Sequence, residues 1–168
     1  MSTRIVSIWC LPCPEDARRY EDVVSNLTKA SSTPVFQPHL TLGSLTHHAD
    51  LTGLFKEEFC LEPLELDGNS VFTTSLFVRF KVSEALRRAR QTVEQNVAFR
   101  SSRGFDPHIS LHYGPPPIAA RDSEQVLALL NHPVRFDRVA AIEMEVPIED
   151  PSALQTWRTL EIIDLDAS

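Results

Sequence analysis

Proline, histidine, an aliphatic residue, a hydroxyl residue and leucine follow one another twice in this chain, as Pro38-His39-Leu40-Thr41-Leu42 and as Pro107-His108-Ile109-Ser110-Leu111. Each copy reads as a short strand with proline at its entry, where a missing N–H does no harm. Successive side chains on a strand point to opposite faces. The imidazole and the hydroxyl therefore share one face, and Leu40, Leu42, Ile109 and Leu111 share the other. Each copy offers one titratable base and one hydroxyl donor from a rigid support. With 12 prolines and 6 histidines in 168 residues, one such pentapeptide arises by chance about once in a thousand chains of this length. Two copies are far rarer, which sets the pair apart from two unrelated core histidines.

The element order extends this duplication. Arg4 to Cys10 is β-branched and apolar and predicts a strand. Pro14, Glu15 and Asp16 open a helix with its apolar stripe on Tyr20, Val23, Val24 and Leu27, fading by Ser31. The first motif strand runs from Val35 to Leu42. Asp50 is expected to cap a helix through Leu51, Leu54, Phe55 and Phe59. Strands follow at 64–67, 70–73 and 76–82, and Ser83 caps a long helix from Glu84 to Val97. After the second motif, Gly114 to Pro117 stops the strand. A helix over 123–130, a strand region from Val134 to Val146, a turn and a last strand from Thr156 to Leu165 complete the chain. The fold class is α+β, as two pseudo-symmetric lobes, each a small antiparallel sheet with flanking helices, enclosing a central cleft lined by the motif strands. No linker-like composition divides them, so residues 1–168 read as one domain.

The two His-x-(Thr/Ser) motifs, with the opening stretch Ser7-Ile8-Trp9-Cys10-Leu11-Pro12, the Ser110-Leu111-His112-Tyr113 run and the closing Leu154-Gln155-Thr156-Trp157-Arg158-Thr159-Leu160, resemble the 2H phosphoesterase superfamily. Within it the chain is most similar to the cyclic phosphodiesterases of fungi and plants. That resemblance implies hydrolysis of nucleoside 2′,3′-cyclic phosphates to 2′-phosphates and of ADP-ribose 1″,2″-cyclic phosphate to the 1″-phosphate, downstream of tRNA splicing. It implies His39 and His108 as catalytic residues, Thr41 and Ser110 as phosphate-binding residues, and Tyr113 as a positioner of water or phosphate. RNA ligases and exonucleases of the same fold, or a nucleotide-binding module without catalysis, are the alternatives.

The chemistry agrees with the residue types. Opening a cyclic phosphodiester requires a base for the attacking water, an acid for the leaving oxygen and donors for the non-bridging oxygens. Two histidines, one neutral and one protonated near neutral pH, supply the first two, and the hydroxyls supply the third. Which histidine is the base is left open. No cofactor and no metal are required. Phe72 is a candidate for stacking on a nucleobase, and Arg103, with Arg100, for a second phosphate. His112, four residues past His108, is expected either in the cleft or at a solvent-facing strand end.

Composition narrows the partners. A net charge of −7 argues against a grip on long nucleic acid, which needs a basic surface, and for a nucleotide-sized ligand; a monomer is expected. No apolar run reaches 18 residues, so no membrane span is expected. Three cysteines and no visible signal peptide point to a reducing, intracellular compartment, the cytoplasm. Trp9-Cys10-Leu11-Pro12-Cys13 has the look of a thioredoxin-type site, but only eight residues precede it, too few for the βα unit such a fold requires. A zinc set of Cys10, Cys13, His47 and His48 is the other minor reading.

Overall fold

The computed structural model describes residues 1–96, 99–100 and 104–167. In chain order the strands are β1 (Thr3–Pro12), β2 (Leu40–Leu45), β3 (Phe59–Leu61), β4 (Pro63–Asp67), β5 (Leu76–Phe80), β6 (Phe99–Arg100), β7 (His108–His112), β8 (Val134–Val146) and β9 (Arg158–Asp164). The helices are α1 (Pro14–Ser31), α2 (Glu84–Asn96) and α3 (Glu124–Ala128). The described strands form one antiparallel sheet in the order β3-β8-β1-β2-β7-β5-β4, with β9 on β8 and β6 on β2. The two lobes are the halves of this sheet. They meet at a single pair, Leu40 opposite Ile109.

The helices cross that junction. α1 follows β1 yet packs against β7 as well as β1, and α2 follows β5 yet packs on β2. Each half therefore covers the motif strand of the other. Their apolar faces close a core in which Leu40, Leu42, Ile109 and Leu111 are completely buried, with Val6, Ile8 and Cys10 from β1. Burying each such side chain is worth about 1.5–3 kcal/mol, so the strand faces cannot flip. Ile5, Trp9 and Leu11 of β1 lie in a second apolar cluster with Ala140, Ile142 and Met144 of β8. The sheet thus has a helix-covered face and a cleft face.

Several local expectations change. The first motif strand begins at Leu40, not Val35. Pro34 and Pro38 hold the preceding backbone extended without ladder donors, and Phe36 is buried against Tyr113 instead. No helix forms after Asp50. Its carboxylate accepts from the Thr52 backbone N–H at 2.9 Å, a local turn that competes with helix capping, and Gly53 at φ 75° ends it. Residues 72–74 form a 3-10 turn instead of a strand. Asn69 Oδ1 fixes that turn by accepting from Val71 N–H and the Thr74 hydroxyl, both at 2.8 Å.

Glycine is required beneath this turn. A Cβ on Gly68 would stand 2.2 Å from the Ser75 carbonyl oxygen, closer than any side chain tolerates. Gly68→Ala is expected to destabilise the protein by about 1–3 kcal/mol, seen as a lower urea midpoint. The same turn carries Thr73 and Thr74 to the cleft, so the variant should also disturb the cleft wall.

Candidate active site

The Leu40–Ile109 pair builds the site. Continuing that antiparallel register by one residue in each direction sets His39 opposite Ser110 and Thr41 opposite His108. All four then lie on the face opposite the buried aliphatics, with the histidines on a diagonal of about 7–8 Å. A cleft of ≈ 300 Å³ holds them together, lined also by Ser7, Trp9, Ser44, Thr73, Thr74, Tyr113 and Trp157.

Both imidazoles are fixed in the same way. His39 Nδ1 is 2.7 Å from the Gln37 carbonyl oxygen, and His108 Nδ1 is 2.7 Å from the Asp106 carbonyl oxygen. A carbonyl only accepts, so Nδ1 carries the proton in each ring. The nitrogen outside that bond is therefore Nε2 in both. The second copy is braced further by Arg79, which forks onto the Asp106 carboxylate at 2.7 and 3.1 Å and also binds Asp67 and Glu65. These carboxylates raise the guanidinium pKa.

The rings have matched aromatic neighbours. Trp9 is paired with Thr41 across β1–β2 and stacks on His39, centroids 3.5 Å apart and planes within 8°. Phe77 is paired with Ser110 across β5–β7 and lies 4.8 Å from the His108 ring, tilted by 51°. Trp157 meets Trp9 and His39 edge-on at 5.1 and 6.0 Å. The environments still differ. His39 is 9% exposed, and burial pushes its pKa down to about 4, against the Gln37 hydrogen bond and with help from the His108 charge. That shift favours the neutral form of His39 at pH 7.

The hydroxyls differ too. The Thr41 hydroxyl has no hydrogen-bond partner among the described residues and faces the cleft. Ser110 donates to the Thr73 carbonyl at 2.7 Å, so its proton turns to a ligand only by giving up that bond. Thr41 and Ser44, three residues apart, would face opposite ways on a regular strand. The register shift between Ile8 and Trp9 pairs Trp9 with Thr41 and Ser7 with Ser44, and this bulge brings both to the cleft.

Other expected site residues distribute as follows. Tyr113 lines the cleft, 3% exposed and stacked on Phe36 at 3.9 Å, with its hydroxyl pKa raised by burial. Phe72 does not line the cleft. It packs behind Tyr113 at 5.8 Å and against the turn at Gly114, whose φ of 78° it abuts. Arg103 lies outside the described residues. His112 is neither in the cleft nor in solvent: fully buried, it donates Nδ1–H to the Gly114 carbonyl at 2.9 Å, while Nε2 meets Ser31 at 2.6 Å and Thr33 at 3.0 Å. It ties the end of α1 to the second motif.

The cysteine readings fall away. Cys10 and Cys13 are unbridged and buried, and burial raises the Cys10 thiol to about 12. Cys13 donates to Asp16 at 3.3 Å. Among the described residues no group of three or more His, Cys, Asp or Glu is placed to hold a metal ion. No helix among them is long and apolar enough to cross a membrane. Trp9, Phe77 and Trp157 are the site residues that motif reasoning missed. Trp9 and Trp157 lie in the flanking stretches already noted, but only strand pairing sets them against the histidines.

Neither a family model nor a curated protein sequence matches the chain. Solved structures do. Escherichia coli LigT complexed with 3′-AMP superposes with a TM-score of 0.57 at 14% identity, over 96% of this chain and 98% of that one. The same protein with NADP+ gives 0.57 at 14% identity, over 98% and 99%. A further structure, described as a phosphoesterase, gives 0.56 at 14% identity over 97% and 98%. The fold is that of the LigT-type 2H phosphoesterases.

Proposed function

We propose that this chain is a 2H phosphoesterase that hydrolyses small cyclic phosphodiesters, nucleoside 2′,3′-cyclic phosphates and ADP-ribose 1″,2″-cyclic phosphate being the candidate substrates. The observation that carries the reading is the pair of Nε2 atoms, each fixed by the same Nδ1–H bond to a carbonyl two residues back. The fold and the nucleotides in the E. coli LigT crystals support a ligand of this size.

The reaction begins with one Nε2 bare and the other protonated. The bare nitrogen takes a proton from water as the water oxygen attacks phosphorus. The P–O3′ bond breaks, and the second Nε2–H gives its proton to O3′, leaving the 2′-phosphate. The two rings end with exchanged protonation and reset through solvent. Thr41 donates to a non-bridging oxygen where charge develops. Ser110 adds a second donor when it leaves Thr73.

Turnover requires no added metal in this scheme. Purified protein in EDTA is expected to convert 2′,3′-cyclic AMP to 2′-AMP, followed by phosphorus NMR. Absence of turnover of both cyclic phosphates by folded protein would reject the reading. The physiological place we propose with it is turnover of the cyclic phosphates left by tRNA splicing.

A further inference from the structure

The cleft floor changes character along its length. On β1 the residues facing it are Trp9, Ser7 and Ile5, spanning about 13 Å at the usual rise per residue. Trp9 lies at the histidines. Ser7 comes next, paired with Ser44 of β2. Its oxygen accepts from Trp9 Nε1 at 2.9 Å, which leaves its own O–H to donate. Ile5 follows, paired with Met144 of β8, and Val146 and Ile148 pack on the same cluster and line the same cleft. The order is proton-transfer pair, hydroxyl row, apolar end.

We infer that this gradient selects a nucleoside 2′,3′-cyclic phosphate over ADP-ribose 1″,2″-cyclic phosphate, with the ribose over Ser7 and Ser44 and the base on Ile5, Met144 and Ile148. The inference rests on the phosphodiesterase reading above. In a nucleoside 2′,3′-cyclic phosphate, an uncharged heteroaromatic base stands on the carbon next to the phosphate-bearing pair. In ADP-ribose 1″,2″-cyclic phosphate that carbon bears the phosphate itself, and what extends from the ribose is a charged diphosphate. An aromatic base gains by contact with the Met144 sulfur and by covering the aliphatic side chains around it. A diphosphate brought to an aliphatic end loses hydration without compensation.

The test compares three substrates on the full chain: 2′,3′-cyclic AMP, ADP-ribose 1″,2″-cyclic phosphate and glycerol 1,2-cyclic phosphate, which has no base. Wild type is expected to show kcat/KM at least tenfold higher for 2′,3′-cyclic AMP than for either of the others. Ile148 is half-buried at the cleft rim. Ile148→Glu is expected to narrow the ratio of 2′,3′-cyclic AMP to glycerol cyclic phosphate at least tenfold, and Ile148→Leu to keep it. Ile148→Ser serves in its place if the glutamate lowers the melting temperature into the assay range. Equal or faster turnover of the ADP-ribose compound, or a ratio that Ile148→Glu leaves intact, overturns the base site while leaving the phosphodiesterase reading standing. Turnover of none of the three rejects both.

Discussion

Alanine at either His39 or His108 is expected to lower kcat for 2′,3′-cyclic AMP by about 10²–10⁴-fold, and the double variant little further than the worse single one. In the proposed mechanism each ring carries one of two coupled proton transfers, and residues that act as a unit do not contribute additively. The symmetry of their fixation makes the expectation equal for both, since each presents Nε2 from the same Nδ1–H bond. His39→Ala also empties the space beside Trp9, where the ring is stacked at 3.5 Å. His39→Gln, which fills that space without a titratable nitrogen, separates lost chemistry from lost packing. Both variants should melt as cooperatively as wild type while losing turnover. A near-wild-type rate in either folded histidine variant rejects the two-histidine mechanism. Tight nucleotide binding with no turnover in wild type would instead favour a binding module.

The motif was readable because its logic is local. Alternation along a strand separates His39 and Thr41 from Leu40 and Leu42, and the fully buried aliphatics show that separation in space. The same logic misplaced His112. Alternation sets it beside His108 and Ser110, but its surroundings are decided by Ser31 and Thr33 at the end of α1, far away in sequence. Trp9 and Phe77 escaped notice for a related reason. Their positions opposite Thr41 and Ser110 come from strand pairing, which a single sequence does not display. The bulge that turns Ser44 into the cleft has no signature beyond Gly43. Asp50 looked like a helix cap because the side chain that caps a helix also closes a turn, and Gly53 decided between them.

Acid should separate His39 from an ordinary histidine, in stability and in rate. Its pKa falls from 6.5 to about 4 on folding, chiefly through burial. Between those values the unfolded chain binds more protons than the folded one, so stability rises with pH across the window and is lost as pH falls from 6.5 through 4. The full contribution is about 3 kcal/mol. Urea unfolding at pH 7 and pH 4.5 should show this loss in wild type and much less of it in His39→Gln. Catalysis follows the same titration. In the proposed mechanism the active pair holds one proton in total, so kcat/KM, which reports the free enzyme, should fall on the acid side near pH 4. An anionic phosphate favours imidazolium, so the acid limb of kcat should lie higher than that of kcat/KM, with protons taken up on binding. Trp157 is half-buried and closes the Trp9–His39 stack edge-on. Trp157→Ala admits water to His39, and its kcat/KM limb should move up towards 6.5. If the limb stays near 4 in a folded variant, the ring is kept dry by Trp9 and the strand framework alone, and Trp157 acts on the substrate instead of on the histidine.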